Sequence, residues 1–428
     1  MRPFRKRLLL LVLLVSCLCL VSKTALSNRF DILRFEPGDT LEDIRDKIKQ
    51  NGYNFTVRNN WVFDMTPEEK RRFFSRRAPL FPMVLEGYDD HDPLARHLGE
   101  RQLPSSFDWR DHNGHAYIGP IRDQGNCGAC YAFGACAAAE GTYNWATGRY
   151  DGNCADFSEA FVAFCLSDYF SGFNGCDGSN YDYEELTALI DYGVCNNTAY
   201  PYTGRDRSCL SSSWDAPRTS FESWHRIDCN DIDAIKTAIM TYGVVDAAVY
   251  VGSAFEAYSG GIYEDSKTSC SSYPCYYTPT NHVIALVGWN DNGGDGYWIL
   301  RNSWGTSWGE SGYMRIKYTS ARVACEAAYL VYQAVAGTTY VDPFGSCNGN
   351  IPCYTTIQSA IDAASSGSVI KIMAGTYDER LDLNSSNSYT LQGGWDSTYS
   401  SRTSTSSVNS MTFGKNSGPV TVEYMDIQ

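Results

Sequence analysis

The chain has 428 residues, and 35 Lys and Arg against 49 Asp and Glu give it a net charge of −14. That length predicts two or three folded units rather than one, and so acidic a surface repels nucleic acid and anionic lipid. Sixteen cysteines point to disulfides and an oxidising compartment.

Arg2, Arg5, Lys6 and Arg7 precede the apolar run Leu8–Val15, and Ala25-Leu-Ser27 supplies small residues for cleavage. This is the layout of a secretory signal over residues 1–27, implying a secreted, extracellular or periplasmic product. A membrane span is the competing reading, but the run is short for a bilayer. Leu14-Val-Ser-Cys17 also has the pattern of a bacterial lipoprotein signal, with lipid anchoring at Cys17 as the alternative. Residues 28–102 are charged and poor in cysteine. Within them Leu41, Ile44 and Ile48 fall at helical spacing.

The stretch Gln124-Gly-Asn-Cys-Gly-Ala-Cys130-Tyr-Ala-Phe133 places a cysteine at the mouth of an apolar segment, Ala129 to Ala146, that reads as a buried helix. The partial positive charge at a helix N-terminus favours the thiolate, the reactive form of cysteine. Two later segments supply a base and a group to orient it. They are Asn281-His282-Val-Ile-Ala-Leu-Val-Gly288 and Trp298-Ile-Leu-Arg-Asn302-Ser-Trp-Gly305. Short apolar runs at 243–251, 282–288 and 296–300 predict strands. Of the six histidines, only His282 opens an apolar strand.

Residues 338–428 turn rich in Ser, Thr and Gly. A short helix is expected over Thr356–Ala364, then strands at 369–372, 381–383, 389–391, 411–413 and 420–422. The helix followed by Lys371-Ile-Met-Ala-Gly-Thr-Tyr377 resembles the entry to a pectin-lyase-type parallel β-helix. A small β-sandwich is the alternative. The chain ends on a strand-like run without an evident cap, as a truncated β-helix would.

Cys127-Gly-Ala-Cys130-Tyr131 fits the C-G-[SA]-C-[WY] signature, with His and Asn far downstream. From about Leu103 to Tyr332 the chain resembles the papain-like cysteine proteases of the cathepsin type. The resemblance implies an α+β fold of two lobes, one helical and one β-barrel-like, over residues 103–335. Residues 28–102 would be a propeptide, because Asn59-Asn-Trp-Val-Phe-Asp-Met-Thr-Pro-Glu-Glu69 is similar to a motif of cathepsin zymogens. Maturation would cut between His97 and Gln102. Residues 338–428 would be an added β-rich extension.

By the same resemblance Cys130 is the nucleophile, His282 the acid–base, Asn302 its orienting partner and Gln124 the oxyanion donor. Trp304 would cover the His–Asn bond. Gly178 and Ser179 would pair with the substrate strand, although Ser179 stands where the family has a second glycine. Ser179, Ala248, Val283 and the region near Leu330 would line the pocket selecting the residue before the scissile position, and their balance favours a hydrophobic side chain. Implied disulfides are Cys127–Cys176, Cys165–Cys209, and Cys325 with Cys275 or Cys270. Cys347 and Cys353 could close a local loop, and Cys136, Cys154, Cys195 and Cys229 two further bridges. No cofactor is implied, and no second Cys/His pair has metal-site spacing. The partners implied are protein or peptide substrates, with glycan or surface contact through the extension.

Two other readings compete. Cys127-Gly-Ala-Cys130 is also a C-x-x-C at a helix start, as in disulfide oxidoreductases, which need the two cysteines to pair with each other. A non-catalytic binding or adhesion protein could keep the same scaffold. Neither accounts for the full set of Gln124, Cys130, His282 and Asn302.

Overall fold

A computed structural model describes residues 32–74, 103–170, 172–179, 183–270, 278–292, 294, 296–332, 338–350, 352–384, 387–414 and 417–428. The signal segment, the expected maturation stretch and Cys275 lie outside them. Among the described residues no helix is long and apolar enough to cross a membrane.

The N-terminal segment is built from two capped helices. Thr40 starts the helix Leu41–Asn51 with a capping box to Asp43, and Gly52 ends it at φ 71°. Its buried residues, Ile44 and Ile48, are two of the three expected from spacing. Thr66 and Glu69 form a second capping box, with Pro67 opening the helix Pro67–Phe73. That physics accounts for the local sequence Met-Thr-Pro-Glu-Glu. Between the helices, Phe55–Val57 adds antiparallel to the strand Tyr258–Tyr263.

The following unit is α+β. Its central helix, Cys130–Thr147, is almost wholly buried and stops at Gly148 (φ 64°). Gly134 and Gly141 let it approach the sheet closely. A Cβ at Gly134 would lie 2.4 Å from Val283 Cγ1, and one at Gly141 would lie 2.2 Å from Val244 Cγ2. The sheet runs in the order 55–57, 258–263, 313–317, 297–301, 282–290, 245–249, 327–331, 223–226. Its pairs are antiparallel, apart from 313–317 beside 258–263. One apolar core fills this sheet, and a second gathers the helical lobe around Cys130, Phe133, Phe161 and Leu189.

Disulfides join Cys127–Cys176, Cys165–Cys209, Cys270–Cys325 and Cys347–Cys353. Cys325 therefore pairs with Cys270, not Cys275. Cys229 is also disulfide-bonded. The bridges drawn among Cys136, Cys154 and Cys195 do not form, because these three remain thiols on separate elements. Cys136 is inside the central helix, and Cys154 Sγ lies 3.5 Å from the Ala116 carbonyl.

In the C-terminal segment every pair of strands among the described residues is parallel. One sheet holds 353–354, 338–341, 368–373, 389–395 and 420–423, a second 375–376, 406–408 and 425–427, and a third 380–382 and 410–412. The repeated return of the chain to each sheet stacks one coil on the next. A sandwich of antiparallel hairpins does not describe these residues.

This segment docks through Tyr354, whose buried ring meets Trp145 edge-on at 5.2 Å. Tyr354→Ala should cost about 3 kcal/mol by opening a cavity at that junction. Denaturant unfolding of the full chain, followed by tryptophan fluorescence, checks this through a lowered midpoint; an unchanged midpoint would contradict it.

Candidate active site

Cys130 occupies the first position of the central helix, whose N-cap, Ala129, makes no side-chain capping bond. The uncapped amides and helix dipole therefore act on the sulfur, lowering the cost of a thiolate. The bridge from Cys127 to Cys176 and the bond from Gly128 N–H to the Cys176 carbonyl (2.9 Å) fix the approach to this helix. Because Cys127 is committed to Cys176, Cys127 and Cys130 are not a redox pair. One helical turn after Cys130, Gly134 packs on Val283. That contact brings the start of the helix to the start of the strand His282–Asn290.

His282 is fully buried, and its Nε2 lies 2.8 Å from Asn302 Oδ1. The same oxygen accepts the backbone N–H of Ser303 at 2.8 Å. Both partners require Oδ1 to be an acceptor, so the proton sits on Nε2 and the lone pair on Nδ1. Nδ1 is buried and has no hydrogen-bond partner among the described residues. Burial pulls the imidazole pKa down to about 4, against the raising effect of the Asn302 bond. The Trp304 ring lies over the imidazole, centroids 4.7 Å apart, and Trp308 backs it at 4.9 Å. Water is thereby kept from the His282–Asn302 bond.

Gln124 is also fully buried. Its Oε1 accepts the Ser303 hydroxyl at 2.6 Å, and its Nε2 donates to the Cys127 carbonyl at 2.8 Å. An amide nitrogen carries two hydrogens, so this bond uses one. Gln124 N–H donates to the Ser303 carbonyl at 2.8 Å. Ser303 thus holds Asn302 with its amide and Gln124 with its hydroxyl and carbonyl. Sequence reading did not single it out, although it sits inside Asn302-Ser-Trp-Gly305.

Gly178 adopts φ 91°, ψ −166°, a conformation open to glycine. Ser179 forms a bridge with Phe173, and its hydroxyl is buried with no partner among the described residues. Its Cβ is thus accommodated within its own loop. Val283 and Ala248 face each other across neighbouring strands beside His282. Leu330 packs in the helical-lobe core with Val283. No group of three or more His, Cys, Asp or Glu suited to a metal occurs among the described residues.

The N-terminal segment lies against this constellation. Trp61 Nε1 donates to the Trp304 carbonyl (3.3 Å), and Lys70 pairs with Glu256 at 2.8 Å. Arg72 pairs with Asp177 at 2.6 Å. The rings of Phe73 and Phe74 stand 5.9 and 5.8 Å from Trp304, and Phe74 is 6.1 Å from the His282 ring.

Residues 103–335 match the model of the papain family cysteine proteases. Cysteine proteinase 1 of Entamoeba histolytica is 37% identical over 313 residues, covering 67% of this chain and 93% of that protein. Cysteine proteinase 2 of the same organism is 37% identical over 235 residues, 53% of this chain and 69% of its own. A digestive procathepsin L 3 from Tenebrio molitor larval midgut superposes with a TM-score of 0.54 at 27% identity, over 68% of this chain and 87% of that one. Helix-borne thiol, buried imidazole and amide partner thus occur in a chain that belongs to the papain family of cysteine proteases, hydrolases of the peptide bond.

Proposed function

We propose that the chain is exported through residues 1–27, held latent by residues 28–102, and hydrolyses peptide bonds as an endopeptidase through Cys130, His282 and Asn302. The supporting observation is the Ser303 amide on Asn302 Oδ1, which leaves His282 Nδ1 as the basic atom. In this reading Nδ1 takes the Cys130 proton, and the thiolate attacks the scissile carbonyl carbon. The Cys130 N–H and the second Nε2 hydrogen of Gln124 receive the developing oxyanion. The imidazolium returns its proton to the leaving amine as the C–N bond breaks, giving an acyl-enzyme. Water, deprotonated at Nδ1, attacks the thioester; collapse releases the acid and regenerates the sulfur. No cofactor enters these steps.

Residues 103–335 are the peptidase unit in this proposal, released by cleavage shortly before Leu103. The N-terminal segment suppresses it in two ways. Its chain covers Trp304, and Phe74 helps keep water from His282, which opposes the imidazolium. For residues 338–428 we infer a glycan or surface contact. The outward row Tyr340, Lys371, Gln392 and Glu423, aligned across four parallel strands, supports it by offering ring, amide and charge on one face. A non-catalytic binding role for the whole chain is disfavoured by the intact thiol–imidazole–amide set.

Three outcomes follow. Cys130→Ala should lower turnover of a fluorogenic peptide on the order of 10⁶-fold while leaving the unfolding midpoint in place; near-normal turnover contradicts the assignment. Residues 28–102, added separately to the mature enzyme, should inhibit it. Phe74→Ala in that peptide should raise Ki roughly tenfold through the lost aromatic contacts, and equal Ki values would remove Phe74 from the inhibitory role. In the Cys130→Ala proform, NMR should show His282 titrating near pH 4 instead of about 6.5. Its folded-state pKa lies below the unfolded one, so the unfolded chain binds the extra proton between those values. The resulting stability is complete above about pH 6.5 and is lost as pH falls to about 4, on the order of 3 kcal/mol. A midpoint near 6.5 would mean the ring is solvated.

A further inference from the structure

Burial alternates along the strands of the C-terminal extension, with Tyr340, Lys371 and Gln392 turned away from its core. The register sets these three and Glu423 in one row across four strands. A register shift after Lys371 places Trp395 opposite Met373 on the same outward side, and Trp395 bridges to Arg402. Glycine at 393 permits the close approach of the next coil, since a Cβ there would lie 2.2 Å from the Tyr424 carbonyl oxygen.

The side chains along this row alternate between rings and cations. The Lys371 ammonium lies 3.9 Å from the Trp395 ring centroid and 5.9 Å from that of Tyr340. The Arg402 guanidinium lies 5.3 Å from Trp395 and 4.7 Å from Tyr424. Tyr399 meets Tyr340 edge-on at 5.0 Å. Arg402 also pairs with Glu423 at 2.7 Å, and the Gln392 amide donates to Glu423 Oε2 at 3.2 Å. Contact with a ring orders an ammonium without using its N–H donors or cancelling its charge. The row is therefore ordered before any ligand arrives, which lowers the entropic cost of binding.

Three properties narrow the occupant. Strands 368–373 and 389–395 are paired on both sides, so no peptide can add to them as a further strand. The chain carries a net charge of −14 and Glu423 sits in the row, so a polyanion is repelled. Rings edged by donors and acceptors suit pyranoses, whose C–H faces are apolar and whose rims are hydroxyls. Strands stand about 4.8 Å apart, close to the repeat of an extended pyranose chain. A glycan crossing them meets Tyr340 first, Lys371 next and Tyr424, 55% exposed, last. A β-1,4 linkage keeps such a chain straight, whereas an α-1,4 chain curls away from a flat row.

We propose that this row binds an extended, uncharged β-1,4-linked glycan, with sugar faces on Tyr340 and Tyr424 and hydroxyls on Lys371, Gln392 and Glu423. This assignment rests on the glycan contact inferred above for residues 338–428. Titration calorimetry of the full chain against cellohexaose, chitohexaose, maltohexaose and polygalacturonate tests it. At least one of the two β-1,4 hexaoses should bind roughly tenfold tighter, or more, than maltohexaose and polygalacturonate. Tyr424→Ala and Lys371→Met should each weaken that binding roughly tenfold and leave the unfolding midpoint in place. Binding that survives both substitutions overturns the site. Binding to maltohexaose or polygalacturonate alone overturns the ligand class and leaves a glycan contact standing. Binding to none of the four removes the glycan contact as well.

Discussion

One hydrogen bond kept dry governs the site: His282 Nε2–H to Asn302 Oδ1. In water such a bond exchanges freely with solvent and selects neither tautomer. Here Trp304 covers it, and the Ser303 amide saturates the same oxygen, so the amide cannot turn its nitrogen toward the ring without setting two donors against each other. Orientation of the imidazole and position of its lone pair both follow from that one acceptor. Ser303 also fixes Gln124. Asn302, which holds His282, and Gln124, far apart in sequence, are therefore both held by one residue.

Behind the site, paired arginines and carboxyls, some of them buried, tie the same two segments to the helical lobe. Arg122, two residues before Gln124, pairs with Asp156 and lies 3.8 Å from Glu159. Arg301, the residue before Asn302, lies 3.7 Å from Glu140 and donates to the Pro120 carbonyl at 2.7 Å. Burial raises the pKa of both Glu140 and Glu159, opposed by the arginines. Such groups contribute little net stability, but removal of either arginine leaves a buried carboxyl without its partner. The arrangement penalises sliding of the segment at 120–124 past the one at 301–303, the movement that would misplace Gln124 relative to Asn302.

Much of this was legible in the sequence because the site residues lie in short contiguous motifs. Gln124 through Cys130, the strand opened by His282 and Asn302-Ser-Trp each keep their chemistry within a few residues. The capping boxes at Thr40 and Thr66 are local as well, although only the first of the two helices was expected from apolar spacing. The role of Ser303 was not legible, because its hydroxyl reaches Gln124, 179 residues away in the chain, and no local pattern encodes that. The Tyr354–Trp145 junction is hidden for the same reason, since an aromatic in a Cys-rich loop gives no sign of which surface it meets. The resemblance left Cys325 to Cys275 or Cys270, because two cysteines so close in the chain look alike to a family pattern, and the fold selects Cys270.

The central helix also separates the two additions to the peptidase. Its 18 residues span roughly 27 Å at 1.5 Å per residue. Cys130 stands at one end, facing the N-terminal segment across the site, while Trp145 near the other end receives Tyr354. Among the described residues the extension therefore attaches at the end of this helix remote from Cys130. The N-terminal segment, in contrast, holds its aromatic rings against Trp304 and His282. The two segments thus meet the peptidase at opposite poles of the same helix, one through rings beside Trp304 and His282, the other through Tyr354 on Trp145.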